Sequence, residues 1–518
     1  MEETEDQALM RIRKRGSIEL PKPLNWNPKF NLLPYQQVGA LHLIIKKKYI
    51  LGAPTGSGKT PMALWAWGVI RDSRLSEGLN PRLWIVANKS ATTQWESEIK
   101  NFLPGINIYR PLSESGAKKR VQTVGSWLKD KTGSVLITNW AQFRDDWDKI
   151  RESFGETWLE EVQLILDEAH KIRNPESKLG SVAKELITKV DRAHLLTASA
   201  VHNKAHDAYA LASVLDNKLM SLAVFEKLYC EKELIPVSYN KWHKRNHWKI
   251  VGYRNLTEFK ERIAHLYLGR NDDEIEGQRP KISYMMRTGE MSTAQKRVYL
   301  KAEMGEYLEN QETNNAAGAM IQAQQVVNTP EYLEPECKDS IKVDLLKEIL
   351  DEIGEEPAIA YSQFRSTIDS YMEVFKEKRP VRITGSEDEE QRFKSQEAFQ
   401  TGKTNLLFLT DAGSESINLQ RAKHVIFISR PWAPGNYRQI VGRARRFGSV
   451  HEYIVIWHLT IEDTIDEYVD ALLAQKFGPV EEIIQGRGDL LPDDQVLPLE
   501  IAEYARKKRK ETKPKRIL

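Results

Sequence analysis

The nine residues Gly52-Ala53-Pro54-Thr55-Gly56-Ser57-Gly58-Lys59-Thr60 constrain this chain more than any other segment. They follow the apolar run Tyr49-Ile50-Leu51 and precede Met62-Ala63-Leu64-Trp65-Ala66-Trp67, an apolar helical pattern. Closely spaced glycines let successive backbone N–H groups curl round a phosphate, and the positive end of the next helix adds to the attraction. Thr55, Gly56, Ser57 and Gly58 would form the cradle. Lys59 suits the β- and γ-phosphates, and the Thr60 hydroxyl suits Mg2+. The strict pattern has glycine at position 53, where this chain has Ala53. The alternative is a tight strand-to-helix turn that binds nothing.

Further short apolar runs surround this loop at helix-length spacing. They are Leu83-Trp84-Ile85-Val86, Val135-Leu136-Ile137, Leu164-Ile165-Leu166 and Ala193-His194-Leu195-Leu196. Strands covered on both faces read as near-continuous apolar runs, and helix-length spacers between them imply a parallel sheet. A second such block holds Ala358-Ile359-Ala360-Tyr361, Leu406-Leu407-Phe408-Leu409, Val425-Ile426-Phe427-Ile428 and Tyr453-Ile454-Val455-Ile456. The stretch between, from about Ala205 to Ser340, reads as mostly helical. The fold class is therefore α/β, two parallel-sheet lobes in tandem with a helical insertion. We expect a charged, poorly packed arm at 1–25 and a first lobe at 26–290 with a helical protrusion near 205–280. A helical linker at 291–340, a second lobe at 341–480 and a basic tail at 481–518 follow.

With 518 residues, the chain has room for about three or four domains. Its two cysteines, Cys230 and Cys337, exclude a disulfide framework and a four-cysteine zinc site, and each reads as a small buried residue. No apolar run approaches the roughly 18 residues of a membrane span, and the acidic start Met1-Glu2-Glu3-Thr4-Glu5-Asp6 is unlike a secretion signal. No membrane association is expected. The formal charge is only +3, so any nucleic-acid surface must be local. Lys241-Trp242-His243-Lys244-Arg245-Asn246-His247-Trp248-Lys249 mixes basic and aromatic residues, as nucleic-acid contacts do, but equally suits a solvated helical protrusion. His243 and His247 would share a helix face, yet no carboxylate or cysteine completes a metal set. The tail from Arg506 to Arg516 suits DNA binding, a localisation signal or a solubilising end.

Two more boxes carry chemistry. Asp167-Glu168-Ala169-His170 follows the run Leu164–Leu166, which puts two carboxylates at the end of a buried strand, where open α/β sheets bind ligands. Asp167 suits a metal and Glu168 suits polarising a water. Gln439-Ile440-Val441-Gly442-Arg443-Ala444-Arg445-Arg446-Phe447-Gly448 places Arg443 and Arg446 three apart, on one face of a helix. Guanidinium groups stabilise charge that develops in phosphoryl transfer, although a plain basic helix also fits.

Taken in order, these boxes resemble those of the superfamily-two helicases, and the whole constellation looks like the Swi/Snf-type branch of double-stranded-DNA translocases. Leu32-Leu33-Pro34-Tyr35-Gln36 resembles the adenine-reading motif of that family, with Leu33 in place of its usual Arg. Val86-Ala87-Asn88-Lys89-Ser90 with Trp95 and Glu98 resembles its segment ending in Trp-x-x-Glu. Asp167 to Asn174 is close to the extended acidic box. Leu196 to Asn203 resembles the coupling motif, with Ser199 and Ala200 replacing its usual Thr-Pro. Tyr361-Ser362-Gln363-Phe364, Thr410 to Leu419, and Trp432-Ala433-Pro434 leading to the arginine box look like the later motifs. Ser414, Glu415 and Ser416 occupy a stretch that is normally glycine-rich. The likeness spans about residues 30–475, and the middle of the chain looks like compact annealing-helicase and bacteriophage-type members.

That resemblance implies two RecA-like lobes sharing ATP and Mg2+. Gln36 would read the adenine, covered by Trp26 or Phe30. Lys59, Asp167, Glu168, Arg443 and Arg446 would be catalytic, Thr60 and Asp167 would hold the metal, and Asn418 and Gln439 would contact nucleotide. Asp411 to Asn418 would sense it. The polynucleotide would pass near Ser90, Thr138, Asn139, Thr384 and Thr410. The implied partner is DNA, double-stranded or branched and bound without sequence preference, and a monomer is expected. A strand-separating RNA or DNA helicase and an ATP-binding clamp with weak hydrolysis are the alternatives. The compact size favours the cytoplasm or nucleoid of a bacterium, in the host or under phage infection, with the nucleus as the eukaryotic equivalent.

Overall fold

Each apolar run read as a strand is one, in two separate parallel sheets. The computed structural model describes residues 20–54, 56–112, 115–174, 176–197, 205–240, 243–269, 279–308, 316–414, 417–446, 448–477 and 501. These residues divide into two compact units between 269 and 279.

The first unit contains β1 (Lys48–Gly52), β2 (Arg82–Ala87), β3 (Ile108–Tyr109), β4 (Val135–Asn139), β5 (Val162–Asp167) and β6 (Arg192–Thr197). With β9 (Tyr267–Gly269) they run in the order β3-β4-β2-β5-β6-β1-β9, every pair parallel. Side chains alternate across a strand, so each strand feeds two cores. Tyr49, Leu51, Leu83 and Ile85 pack with Met62, Trp67 and Trp95 on one face. Ile50, Trp84, Val86 and Leu164 pack with Phe143, Trp147 and Leu186 on the other. Helices α1 (Pro34–Ile45), α2 (Lys59–Ser76) and α3 (Lys89–Phe102) carry the residues that matter below.

Part of the expected arm is built into this unit. Trp26 is 4% exposed, stacks on Phe102 at 5.2 Å and donates to the Phe30 carbonyl, while Trp65 donates to the Pro21 carbonyl. Trp26 is thus a core residue and offers no free face to an adenine. Phe30 is 39% exposed and packs edge-on against Phe102.

The helical reading of the middle fails at β7 (Cys230–Asn240) and β8 (His243–Tyr253), an antiparallel hairpin that forms its own two-stranded sheet. Pro236 breaks a helix but is tolerated where every strand is an edge. His243 and His247 therefore lie on a strand, and the helical spacing that suggested a metal pair is absent. Among the described residues no group of three or more His, Cys, Asp and Glu side chains could hold a metal ion. Lys241 and Trp242, like the tail from Arg506 to Arg516, lie outside the described residues. Helices do fill 205–215, 222–229, 256–263, 293–304 and 316–328.

The second unit contains β10 (Lys281–Gly289), β11 (Ala358–Tyr361), β12 (Val381–Ile383), β13 (Leu406–Leu409), β14 (His424–Phe427) and β15 (Tyr453–Ile461). Their order is β10-β15-β14-β11-β13-β12, again all parallel. β10 lies within the span expected for the first lobe, yet it pairs along its whole length with β15, and Arg445 Nε donates to the Pro280 carbonyl at its entry. Cys230 and Cys337 are free and buried, as read from the sequence.

His194 on β6 is fully buried, with Nε2 3.0 Å from the Lys46 carbonyl and Nδ1 3.2 Å from Gln163 Nε2. That pairing suits the neutral ring. Burial lowers its pKa to about 4, against 6.5 for a free side chain. The unfolded chain therefore binds this proton first as pH falls. Stability from His194 is complete above pH 6.5 and lost as pH drops through 4, a difference on the order of 3 kcal/mol. Denaturant titrations at pH 7.5 and 4.5 should show this loss, and it should shrink in His194→Gln.

Candidate active site

The strand order puts the chemistry-bearing boxes of the first unit on one edge. β6 lies between β1 and β5, so the loop after β1, Thr197 and Asp167 leave the sheet side by side at its carboxyl end. The Ala53 N–H donates to the Thr197 carbonyl across this edge at 3.1 Å.

The glycines of the loop are there for backbone reasons. Gly56 has φ +79° and Gly58 φ +82°, in the left-handed region that side chains disfavour. Gly58 is the residue capping α2, and a Cβ on it would lie 2.3 Å from Gln36 Nε2. From α1, Tyr35 Oη and Gln36 Nε2 both donate to the Ser57 carbonyl, at 2.7 and 3.1 Å. Gln36 Oε1 accepts from the Leu33 N–H. The expected adenine reader is thus only 4% exposed and braces the phosphate loop. Lys59 Nζ lies 2.7 Å from the Ala53 carbonyl and 3.3 Å from that of Pro54. The Ser57 hydroxyl is buried without a hydrogen-bond partner among the described residues. A buried orphan hydroxyl, a lysine and two left-handed glycines at a helix start match the needs of a phosphate. Thr60 is partly buried in the first turn of α2, and Thr55 lies outside the described residues.

Asp167 ends β5, and Glu168 turns away with φ +54°, a strained value for a residue with a side chain. Asp167 Oδ1 accepts from the Glu168 N–H at 3.1 Å, and Oδ2 from Trp95 Nε1 at 2.9 Å. Burial, then repulsion from Glu168, pushes the Asp167 carboxyl above the ordinary range, while Trp95 and the Lys59 ammonium pull it back. Glu168 Oε2 lies 3.4 Å from His170 Nδ1. Lys59 and Glu168 therefore both act electrostatically on Asp167. Ser199 and Ala200, in the coupling motif, lie outside the described residues.

In the second unit, helix α4 (Pro434–Ala444) carries Gln439, partly exposed, and Arg443, buried in its last turn. Arg446 falls beyond the helix end, so the shared-face argument does not apply to it as stated. Its Nε bonds the Gly442 carbonyl at 3.0 Å, which extends the last turn. The Leu419 N–H donates to the Arg443 carbonyl at 3.1 Å, which ties the Asn418 segment to the arginine box. Asn418 is partly exposed, and its Oδ1 accepts from the Gln420 N–H. Tyr361 Oη donates to Asp411 at 2.8 Å, and burial raises the Asp411 pKa.

The expected polynucleotide track fares less well. Thr138 accepts from Trp84 Nε1, Asn139 caps the helix 140–154, Thr384 bonds Glu387, and all three are buried. Thr410 is 5% exposed. Only Ser90, in the first turn of α3, is more than marginally accessible. Sequence reading gave no role to Tyr35 or to the Trp95 indole, although both stand inside motifs it had marked.

Comparison with known proteins agrees with this geometry. Residues 35–340 match the SNF2-related domain, and residues 341–448 match the helicase conserved C-terminal domain. The fold and site define a helicase-class ATPase with two parallel-sheet units. The chain belongs to the SNF2-related family, whose members hydrolyse ATP, and it is an ATP-hydrolysing enzyme. It is 25% identical over 494 residues to the uncharacterized ATP-dependent helicase YqhH of Bacillus subtilis, covering 90% of this chain and 82% of that one. It is also 25% identical to the chromodomain-helicase-DNA-binding protein 1-like of Danio rerio, covering 90% of this chain but only 45% of that protein. A solved SWI2/SNF2 ATPase core of Sulfolobus solfataricus, in complex with dsDNA, shares 22% identity at a TM-score of 0.41 and covers 95% of this chain and 98% of its own.

Gly413 offers a test of how tightly the second unit is built. A Cβ there would lie 2.0 Å from the Ile383 carbonyl oxygen. Gly413→Ala should destabilise that unit by about 3 kcal/mol, read by chemical denaturation.

Proposed function

We propose that this chain couples ATP hydrolysis to movement along double-stranded DNA and remodels forked or branched DNA. The observation that carries the reading is the single sheet edge where the phosphate loop and the Asp167-Glu168 pair flank β6. Lys59 and the loop N–H groups hold the phosphates. Thr60 and Asp167 are hard oxygen donors of the kind Mg2+ takes, and that ion neutralises phosphate charge when bound. Glu168 orients the attacking water, and Gln36 braces the phosphate loop through the Ser57 carbonyl. The second unit carries Arg443 and Arg446, guanidinium groups of the kind that stabilise charge in phosphoryl transfer, and Asn418 and Gln439, which the family resemblance assigns to nucleotide. A hinge cycle driven by ATP binding and release is the class of motion that would move the duplex. DNA is favoured as the track because one relative carries DNA binding in its name. Contacts to phosphate carry no base sequence, so binding should tolerate any sequence and weaken with salt.

Lys59→Ala should abolish ATP hydrolysis while leaving the circular dichroism spectrum and thermal midpoint unchanged. Steady-state ATPase assays should show stimulation by DNA that fades as salt rises. A rate unchanged by double-stranded, forked and single-stranded DNA would remove the translocation reading and leave an NTPase. Strand-displacement assays on RNA and DNA would separate translocation from unwinding.

A further inference from the structure

We propose that Trp95 is a positioning residue that fixes the Asp167 carboxylate for a divalent cation. The inference rests on the reading of Asp167 as a cation ligand. Helix α3 buries the Trp95 ring to 2% exposure, with Nε1 2.9 Å from Asp167 Oδ2. A buried indole N–H gains from an acceptor, although those of Trp67 and Trp140 have none among the described residues. Trp26, Trp65 and Trp127 take a backbone carbonyl, Trp84 takes the Thr138 hydroxyl and Trp147 the Glu185 carboxylate. Trp95 bonds the carboxylate that ends β5, at the edge that carries the phosphate loop.

The two donors on Asp167 act on different oxygens. Oδ1 takes the Glu168 N–H at 3.1 Å and Oδ2 takes the indole. The carboxylate torsion is broad when nothing restrains it. One donor on each oxygen sets the plane, and each oxygen keeps further lone-pair capacity for a cation. Donors placed behind a metal ligand orient it, and their loss lowers metal affinity by about 10–100-fold. The same helix carries Ser90 in its first turn, so the element that sets the carboxylate also holds the accessible member of the proposed polynucleotide track.

The test reads metal binding directly. Mn2+ is titrated into the full chain with a non-hydrolysable ATP analogue and followed by electron paramagnetic resonance. Trp95→Phe removes the donor but also some ring volume. Replacing Trp95 by 3-benzothienylalanine exchanges only the N–H for sulfur and keeps the volume. Both should weaken Mn2+ by about tenfold, with the thermal midpoint of the metal-free protein unmoved in the benzothienyl protein. If Asp167→Asn weakens Mn2+ while both Trp95 replacements bind it like the wild type, the positioning role is overturned alone. If Asp167→Asn leaves Mn2+ affinity unchanged, the ligand reading fails and takes this proposal with it.

Discussion

Parallel strands all deliver their carboxyl ends to one edge, and this chain concentrates its chemistry there. In the first unit, three adjacent strands end in the phosphate loop, Thr197 and Asp167. No long-range folding of loops is needed to assemble such a site, because sheet pairing already sets the spacing between strand ends. The cores on both faces hold that edge rigid. Strands such as β2 and β4 are buried along their entire length, which leaves little freedom for register slip.

Around this edge, polar groups are fixed by neighbours from other elements. Tyr35 and Gln36 hold the Ser57 carbonyl, and Trp95 and the Glu168 N–H hold Asp167. The side-chain restraints come from α1 and α3, which pack into the same core as α2. The second unit uses the same logic. The backbone bond from Leu419 to Arg443 links two motifs, Tyr361 reaches Asp411, and Arg445 turns the other way to secure β10. Three arginines within four positions therefore meet different local surroundings.

Strand positions were legible because strands covered on both faces must be apolar at every residue, and Leu83–Val86 or Leu406–Leu409 can be little else. The phosphate loop and the acidic box were legible because positive φ and clustered charge need particular residue types. The hairpin Cys230–Tyr253 was not, because its basic and aromatic mixture fits a helix surface as well as a strand; Pro236 was the one signal against a helix. Residue type also misled at Trp26, Thr138, Asn139 and Thr384. Aromatic rings and hydroxyls serve ligands and cores alike, and only packing shows which partner each one found.

The sequence alone determined the two α/β blocks, the order of their strands along the chain, the family and the identity of the phosphate loop, because these rest on local periodicity and on residues with restricted conformational or chemical roles. Tertiary structure alone decided that β10 joins the second sheet, that Gln36 braces the loop, that Arg446 lies past its helix and that the Trp95 indole meets Asp167. Those outcomes depend on which side chains meet across elements distant in sequence, and local pattern carries no record of such meetings.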